Sequence, residues 1–316
     1  METPILVGEQ PLPATRRREP ARVGSLARLV VAIASNPKAL IGAILLTLFV
    51  VLAAFAPLIS PYDPSAQAFL PSAPPSIAHL LGTTSYGQDI FSQVVWGTRQ
   101  SLLIGIVAGL VTTIISVLIG VTAAYLGGSA DHVLSLFIDI FLVLPQLPLM
   151  IVIAAYFKGS GSVWVLIAVI TVTGWSFGAR QLRSQALSLR RREFLESARI
   201  RGERASYIIV FEMLPTMSSL IAANFLGAAL YSVLAAAGLQ FIGLGNIEQI
   251  SWGSMLYWAE NNEALMAGAP LWIIAPGVCI ALLGASFALL NYAFDEIGNP
   301  ALRAVRRKHD RRTARP

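Results

Sequence analysis

Six long and almost uncharged apolar stretches constrain the fold of this chain more than any other feature. They are approximately Ala39–Ile59, Ser101–Leu126, Val133–Phe157, Val163–Phe177, Met213–Ile242 and Leu271–Phe294. A helix that crosses a bilayer needs roughly 20 predominantly apolar residues. Only 13% of the residues are charged, whereas soluble domains carry roughly 25%. The pattern therefore predicts an all-α integral membrane protein with six transmembrane helices.

Two of these stretches depart from a simple crossing. The fourth is short, and we expect its helix to continue through Gly178 and Ala179 toward Leu182. The fifth is longer than one crossing needs, so we expect part of it to be tilted or broken.

Proline and glycine residues mark two further features inside the spans. Pro145 and Pro148 should bend the third span, and a bent helix suits a gate beside a pathway as well as a purely structural kink. Gly105 and Gly109 form a GxxxG pair, which is typical of close helix packing but also arises by chance in a glycine-rich span.

The basic residues are concentrated in three segments. The N-terminal tail carries six Lys and Arg, segment 180–215 carries eight and the C-terminal tail seven, which leaves Arg99 and Lys158. Six spans place both termini and segment 180–215 on one side, and the positive-inside rule makes that side the cytoplasm. The net charge of +6 is therefore a topology signal with a secondary attraction to membrane lipid, and we expect no nucleic-acid partner.

This topology divides the chain into a transmembrane domain and two basic cytoplasmic tails. The tails are 1–38 and 304–316, and the transmembrane domain is 39–303. The first tail could carry an interfacial amphipathic helix over 25–38, although a short basic flank of the first span explains the same residues. Within the transmembrane domain, segments 60–96 and 243–270 contain no Lys or Arg and are expected to face outward.

Segment 180–215 contains a short amphipathic helix. Phe194, Leu195 and Ala198 fall on one face of it. A helix this short cannot bury an apolar face by itself, so it needs the membrane surface, its own bundle or the groove of a partner. The helix also begins with acids, which the helix dipole favours, and is followed by Gly202, which can adopt the positive φ of a helix stop.

The run from this helix to Pro215 resembles the EAA motif of bacterial ABC importer permeases. The resemblance rests on Glu193, Phe194, Glu196, Ala198, Gly202, Ile208, Ile209 and Pro215. The run departs from the motif at Ser197, where alanine is usual, and at Glu212, where histidine is common. In that family the motif forms a coupling helix that docks on a separate ATPase. The resemblance implies a type I ABC importer permease fold, and it implies docking through Glu193, Phe194, Glu196, Ala198 and Gly202.

The same resemblance implies partners and a location. The partners are a second homologous permease subunit, two ATP-binding subunits and an extracytoplasmic solute-binding protein, in the bacterial cytoplasmic (inner) membrane. A P-loop places a lysine after glycine, but Lys38, Lys158 and Lys308 follow other residue types. We therefore expect a permease subunit that is not an enzyme and holds no cofactor, with ATP and Mg bound by the ATPase subunits.

Two other regions resemble dipeptide and oligopeptide permeases of the C-subunit sort. One precedes the second span and the other follows the fifth; they comprise Leu81–Thr83, Gly87, Asp89, Gly97, Arg99, Ser101, Leu102, 241–245 and 251–253. Thr84 and Gln88 depart from that pattern, and the proline pair usual between 246 and 250 is absent. The ending at 291–303, NYAFDEIGNPALR, resembles members associated with oligosaccharide uptake. The resemblance thus implies short peptides as cargo, with oligosaccharides as the alternative.

In addition to Pro145, a few polar and aromatic residues are candidates for the pathway or its gate. Asp139 is an acid deep in a span, where it either packs against a polar group or relays protons, and the second role would suit an ATP-independent proton-coupled carrier. Trp252 and Tyr257 suit an interfacial aromatic belt or an outer mouth that stacks on solute. The three histidines are scattered along the chain and Cys279 is the sole cysteine, so we expect no metal site.

Overall fold

The computed structural model describes residues 36–157 and 162–298, most of which lie in helices. The helices are α1 Pro37–Ala54, α2 Ala56–Ile59, α3 Ile90–Leu126, α4 Gly128–Val143, α5 Gln146–Tyr156, α6 Val163–Leu189, α7 Glu193–Ile200, α8 Ala205–Thr216, α9 Ser218–Phe241, α10 Trp252–Asn261 and α11 Leu271–Gly298. Nearly all of the expected interfacial helix over 25–38 and the C-terminal tail lie outside the described residues.

Five helices are long and apolar enough to cross a membrane, and α4 with α5 forms a sixth, bent candidate. The two parts of this pair meet at an angle of 88°. Leu144 has an extended backbone and Pro145 precedes the first residue of α5, as expected because a residue before proline is disfavoured in the α conformation. The bend predicted for the third span is therefore confirmed.

The packing of α3 against α6 shows that the bent pair crosses the bundle. Ser116 on α3 donates a hydrogen bond to the Trp175 carbonyl on α6 at 2.7 Å, and Gly120 contacts Ala179 further along both helices. Contacts that advance together along two helices mean that the helices are parallel. The chain must therefore return across the bundle between them, and α4–α5 supplies this crossing.

The remaining long helices alternate in direction. The contacts that set their order are Gly105 with Val233, Gly109 with Ala229, Gly284 with Leu230, Gly227 with Asn291, Gly42 with Leu290 and Lys38 with Tyr292. In each pair of helices one number rises as the other falls, so α9 is antiparallel to α3, α11 to α9 and α1 to α11. Both described ends of the transmembrane bundle, Pro37 and Gly298, consequently lie at the same end as α7.

Helix boundaries differ from the apolar stretches in three places. Helix α3 begins at Ile90 rather than Ser101, because Asp89 caps it by accepting from the Ser92 amide at 2.8 Å. Helix α6 runs on to Leu189. The long fifth stretch is broken at Met217 between α8 and α9, and α8 contains a π-helical stretch at Ile208–Met213, which confirms the expected break.

Candidate coupling helix and translocation cavity

Helix α7 buries its apolar face against its own chain. Leu195 and Ala198 are fully buried, in a cluster shared with α3, α6, α8 and Met217: Val121, Ala124, Leu182, Ala186, Leu189, Ile208 and Met213. Of the three surfaces that the sequence left open for this face, the structure uses the bundle itself. The helix is therefore attached to the transmembrane helices through its buried side.

The opposite side of α7 is exposed. Glu193, Phe194 and Glu196 are exposed, and Ile200 is 81% exposed. Phe194, which the sequence analysis placed on the face of Leu195 and Ala198, is 40% exposed and stands outside their buried cluster, so that expectation is wrong. Ala198 has no accessible surface, so it holds the helix in place and offers nothing for a partner to touch.

Gly202 ends α7 in the conformation that its residue type predicts. Its φ is 78°, and its amide donates to the Arg199 carbonyl at 2.9 Å, while the Glu203 amide donates to the Ala198 carbonyl at 3.2 Å. This pair of bonds is a Schellman motif, which glycine accommodates without steric cost. No atom of the described residues lies within 4 Å of a Cβ added at Gly202, so within this part of the chain the turn is open on its outer side.

Polar contacts join the region around α7 to the helices that carry it. Arg199 lies over the Tyr125 ring, 5.1 Å from its centroid, and also reaches the Arg190 carbonyl at 3.4 Å. Arg183 on α6 binds both oxygens of Asp131 on α4 at 2.7 and 2.8 Å. These contacts connect the ends of α3, α4 and α6 to one another beside α7.

A cavity of about 500 Å³ lies among α3, α4, α5, α6, α9 and α11. Its polar lining consists of amides and hydroxyls, from Thr112, Ser116, Gln146, Gln181, Asn224, Tyr231 and Asn291. Helices α3 and α6 contact α7, and they also form walls of this cavity. Both helices therefore connect α7 with the cavity.

The sequence predictions identified the surroundings of this cavity but missed its lining. Pro145 immediately precedes Gln146, a lining residue, and Asp139 lies one turn before Leu142, another lining residue. Asp139 pairs with Arg180 at 3.4 Å, and both side chains are more than half exposed. Uncharged polar residues such as Gln146 and Asn224 inside apolar stretches were the available signal, but hydropathy barely registers them.

The two aromatic candidates, Trp252 and Tyr257, lie toward the end of the bundle opposite α7 and have different surroundings. Trp252 is fully buried; its indole nitrogen donates to the Val94 carbonyl at 3.1 Å and its ring packs 5.4 Å from that of Phe49. Trp252 therefore packs the core and is accessible neither to solute nor to lipid in this structure. Tyr257 is partly exposed and packs against Trp258, with ring centroids 5.2 Å apart.

A second, larger cavity lies at the end of the bundle opposite α7. It measures about 950 Å³ and is formed by residues 57–65, the first turns of α3 and residues 248–250. Its lining includes the charged residues Asp63, Arg99 and Glu248, whereas the described lining of the inner cavity includes none. The candidate site thus comprises a charged outer cavity, a neutral inner cavity and an attached helix with an exposed acidic edge.

Comparisons with known proteins cover almost the whole of this arrangement. A family model described as "Binding-protein-dependent transport system inner membrane component" matches residues 116–297, and one described as "N-terminal TM domain of oligopeptide transport permease C" matches residues 30–75. The first match contains α7 and most of the inner cavity.

Several curated proteins are similar over most of their length. The oligopeptide transport system permease protein OppC of Mycobacterium tuberculosis is 30% identical over 84% of this chain and 90% of its own. The dipeptide transport system permease protein DppC of Alkalihalophilus pseudofirmus is 33% identical over 85% of this chain and 88% of its own. The OppC protein of Bacillus subtilis is 29% identical over 85% of this chain and 87% of its own.

Proposed function

This chain belongs to the family of binding-protein-dependent transport system inner membrane components, and we propose that it forms half of the translocation pathway of an ATP-driven importer of short peptides. It is a multi-pass protein of the inner membrane. The similar proteins carry names of oligopeptide and dipeptide permeases, which supports peptides as the cargo. Oligosaccharides remain the alternative cargo of the same machinery.

The observation that carries the proposal is the two-sided environment of α7. One side, Leu195 and Ala198, is buried against the chain's own helices, including α3 and α6, while Glu193 and Phe194 remain exposed. A helix with this arrangement can receive a push on its exposed side and pass it to the walls of the inner cavity. We propose that separate ATP-binding subunits deliver that push when they close on ATP.

The proposed complex contains three kinds of partner. A second homologous permease supplies the other half of the pathway, and two ATP-binding subunits bind ATP and Mg and contact α7. An extracytoplasmic solute-binding protein delivers cargo at the end of the bundle opposite α7. The cargo shifts the populations of inward-open and outward-open states only through its different affinity for each of them.

The docking of α7 is tested by reversing or adding charge on its exposed side. We expect Glu193→Lys and Gly202→Asp to abolish ATP-driven uptake and co-purification of the ATPase subunits, while the permease still inserts into the membrane. At Gly202 a side chain also strains the positive φ of the turn. The matched control is Glu260→Lys, the same charge reversal in α10 at the opposite end of the bundle, which should leave co-purification unchanged.

Two results would contradict this proposal. Normal uptake in both α7 variants would show that the exposed side of the helix does not transmit the ATP-driven step. Uptake by the purified permease without any ATPase subunit would favour the proton-coupled carrier instead.

A further inference from the structure

We infer that the neutral inner cavity contains a hydrogen-bonding subsite for uncharged amide or hydroxyl groups of the transported solute, centred on Thr112 and Asn224. The inference rests on the proposed function, since it assumes that solute passes this cavity. It adds which residues touch the solute and which part of the solute they recognise.

The first observation is a pair of buried polar atoms without partners. Thr112 is 3% exposed, and its hydroxyl has no hydrogen-bond partner among the described residues; within the same residues the side-chain oxygen of Asn224 has none either. Both residues line the cavity. Ser85, Thr171, Ser176 and Trp272 also have an unpaired buried atom among the described residues, but none of these four lines the inner cavity. Buried polar groups in folded proteins are nearly always hydrogen-bonded, so an unpaired one at a cavity wall leaves a hydrogen bond available to a bound molecule.

The neighbouring threonine shows that pairing was available. Thr113 is 4% exposed, and its hydroxyl donates to the Gly109 carbonyl one turn earlier at 2.8 Å. Thr98 on the same helix and Thr173 on α6 pair with their own backbones in the same way. Thr112 makes no such bond, and it is the one of these residues that lines the inner cavity.

The second observation is the chemistry of the lining. Among the described residues that line the cavity, none is Asp, Glu, Lys or Arg. Amide and hydroxyl groups both donate and accept hydrogen bonds, so they suit the amides of a peptide backbone or the hydroxyls of a sugar, and they offer no partner for a fixed charge. The volume of about 500 Å³ falls within the usual range for small-molecule sites, roughly 300–1,000 Å³.

The test uses the complete importer, with both permeases, the ATPase subunits and the binding protein, in proteoliposomes. The substitutions are Thr112→Val and Asn224→Leu, which keep approximate shape and remove the polar atoms. The matched control is Thr113→Val, the same substitution at the next residue, equally buried but with its hydroxyl bonded to the backbone. The probes are labelled tetra-alanine and a labelled glucose tetrasaccharide, each at a concentration below saturation.

Each of the two site variants should reduce uptake about tenfold, the loss expected when the cavity can no longer make one hydrogen bond to the solute during transport. Uptake by Thr113→Val should stay within about twofold of the unmodified importer. A loss confined to tetra-alanine assigns the site to peptide amides, and a loss confined to the tetrasaccharide assigns it to sugar hydroxyls. If both site variants transport both probes as well as Thr113→Val does, the subsite is refuted. Failure of the unmodified importer to take up either probe with ATP would instead refute the proposed function.

Cysteine protection gives a second readout that does not depend on transport rates. In a Cys279→Ser background, Thr112→Cys and Asn224→Cys should react with a small hydrophilic thiol reagent, and excess probe should slow the reaction at least about fivefold. If the two cysteines are unreactive, the Thr112 hydroxyl and the Asn224 side-chain oxygen contact the second permease subunit and not the solute. Reaction that the probes do not slow would show water in the cavity without a solute subsite, so either result refutes the inference.

Discussion

The hydroxyl of Tyr231 on α9 donates a hydrogen bond to Gln146, the first residue of α5, across 2.9 Å. Gln146 directly follows the break in the bent crossing, and both side chains line the inner cavity. The Tyr231 ring also approaches Gly174 on α6, where an added Cβ would lie 3.2 Å from it. One side chain thus connects α9, α6 and the bent crossing at the wall of the cavity.

Removing this hydroxyl should loosen the bent crossing. We expect Tyr231→Phe to destabilise the purified protein by about 1 kcal/mol, the net contribution of a typical hydrogen bond, and to raise the ATP consumed per solute imported. Thermal unfolding in detergent and the ratio of ATP hydrolysis to uptake measure these effects. Tyr257→Phe is the control, because its hydroxyl makes no hydrogen bond among the described residues; equal effects from both variants would contradict the prediction.

Close packing between α3 and α9 should depend on Gly109. A Cβ added there would lie 2.7 Å from the Cα of Ala229, which is closer than unstrained contacts allow. Gly109→Ala should therefore cost about 1–3 kcal/mol of stability through overpacking. The same substitution at Gly277 in α11, where nothing lies within 4 Å of an added Cβ, should be neutral or slightly stabilising. Equal melting temperatures for the two variants would contradict the packing shown here.

The bidentate pair between Asp131 and Arg183 should contribute more than an exposed ion pair. Their side chains are 16% and 27% exposed, and both oxygens of the carboxylate are bound. A double-mutant cycle with Asp131→Asn and Arg183→Gln should give a coupling of about 1–3 kcal/mol, as for hydrogen bonds to charged groups. The comparison pair, Arg201 with Glu203 at 3.9 Å, is more exposed, so its coupling should stay below about 1 kcal/mol. Equal couplings in the two cycles would disprove this difference.

Much of the fold was predictable because the bilayer imposes a length on its spanning helices. The apolar stretches predicted six crossings, the prolines predicted the bend of the third span at Pro145, and Gly202 predicted the end of α7. The start of α3 at Ile90 was missed because its first turns interleave polar residues with apolar ones and pack against protein. Thr112 and Asn224 were missed as site residues because burial without a partner becomes visible only in three dimensions.

The split environment of α7 shows the same limit. Helical periodicity gave the buried pair Leu195 and Ala198, but it also assigned Phe194 to their face. The difference lies in where α3, α6 and α8 meet the helix, which depends on contacts between residues far apart in the chain. Local spacing defines the existence of an apolar face, and tertiary packing defines its exact direction.

The last prediction separates ATP-driven import from proton-coupled transport at Asp139. Its carboxylate contacts Arg180 at 3.4 Å, with side chains 58% and 67% exposed. Neither residue lines the inner cavity, so the substitution removes only their mutual contact. A hydrogen bond of about 1 kcal/mol corresponds to about fivefold, so Asp139→Asn should change uptake by no more than about fivefold. Arg180→Gln, which breaks the same pair from the other side, should match it.

Uptake by the Asp139→Asn importer should still require ATP and should persist when a protonophore collapses the proton gradient. A proton-coupled carrier makes the opposite prediction, because its transport needs an acid that takes up and releases the coupled proton, and Asp139 is the acid that the sequence places deep in a span. Loss of uptake in Asp139→Asn but not in Arg180→Gln, together with protonophore sensitivity of the unmodified protein, would therefore favour the carrier over the ATP-driven importer.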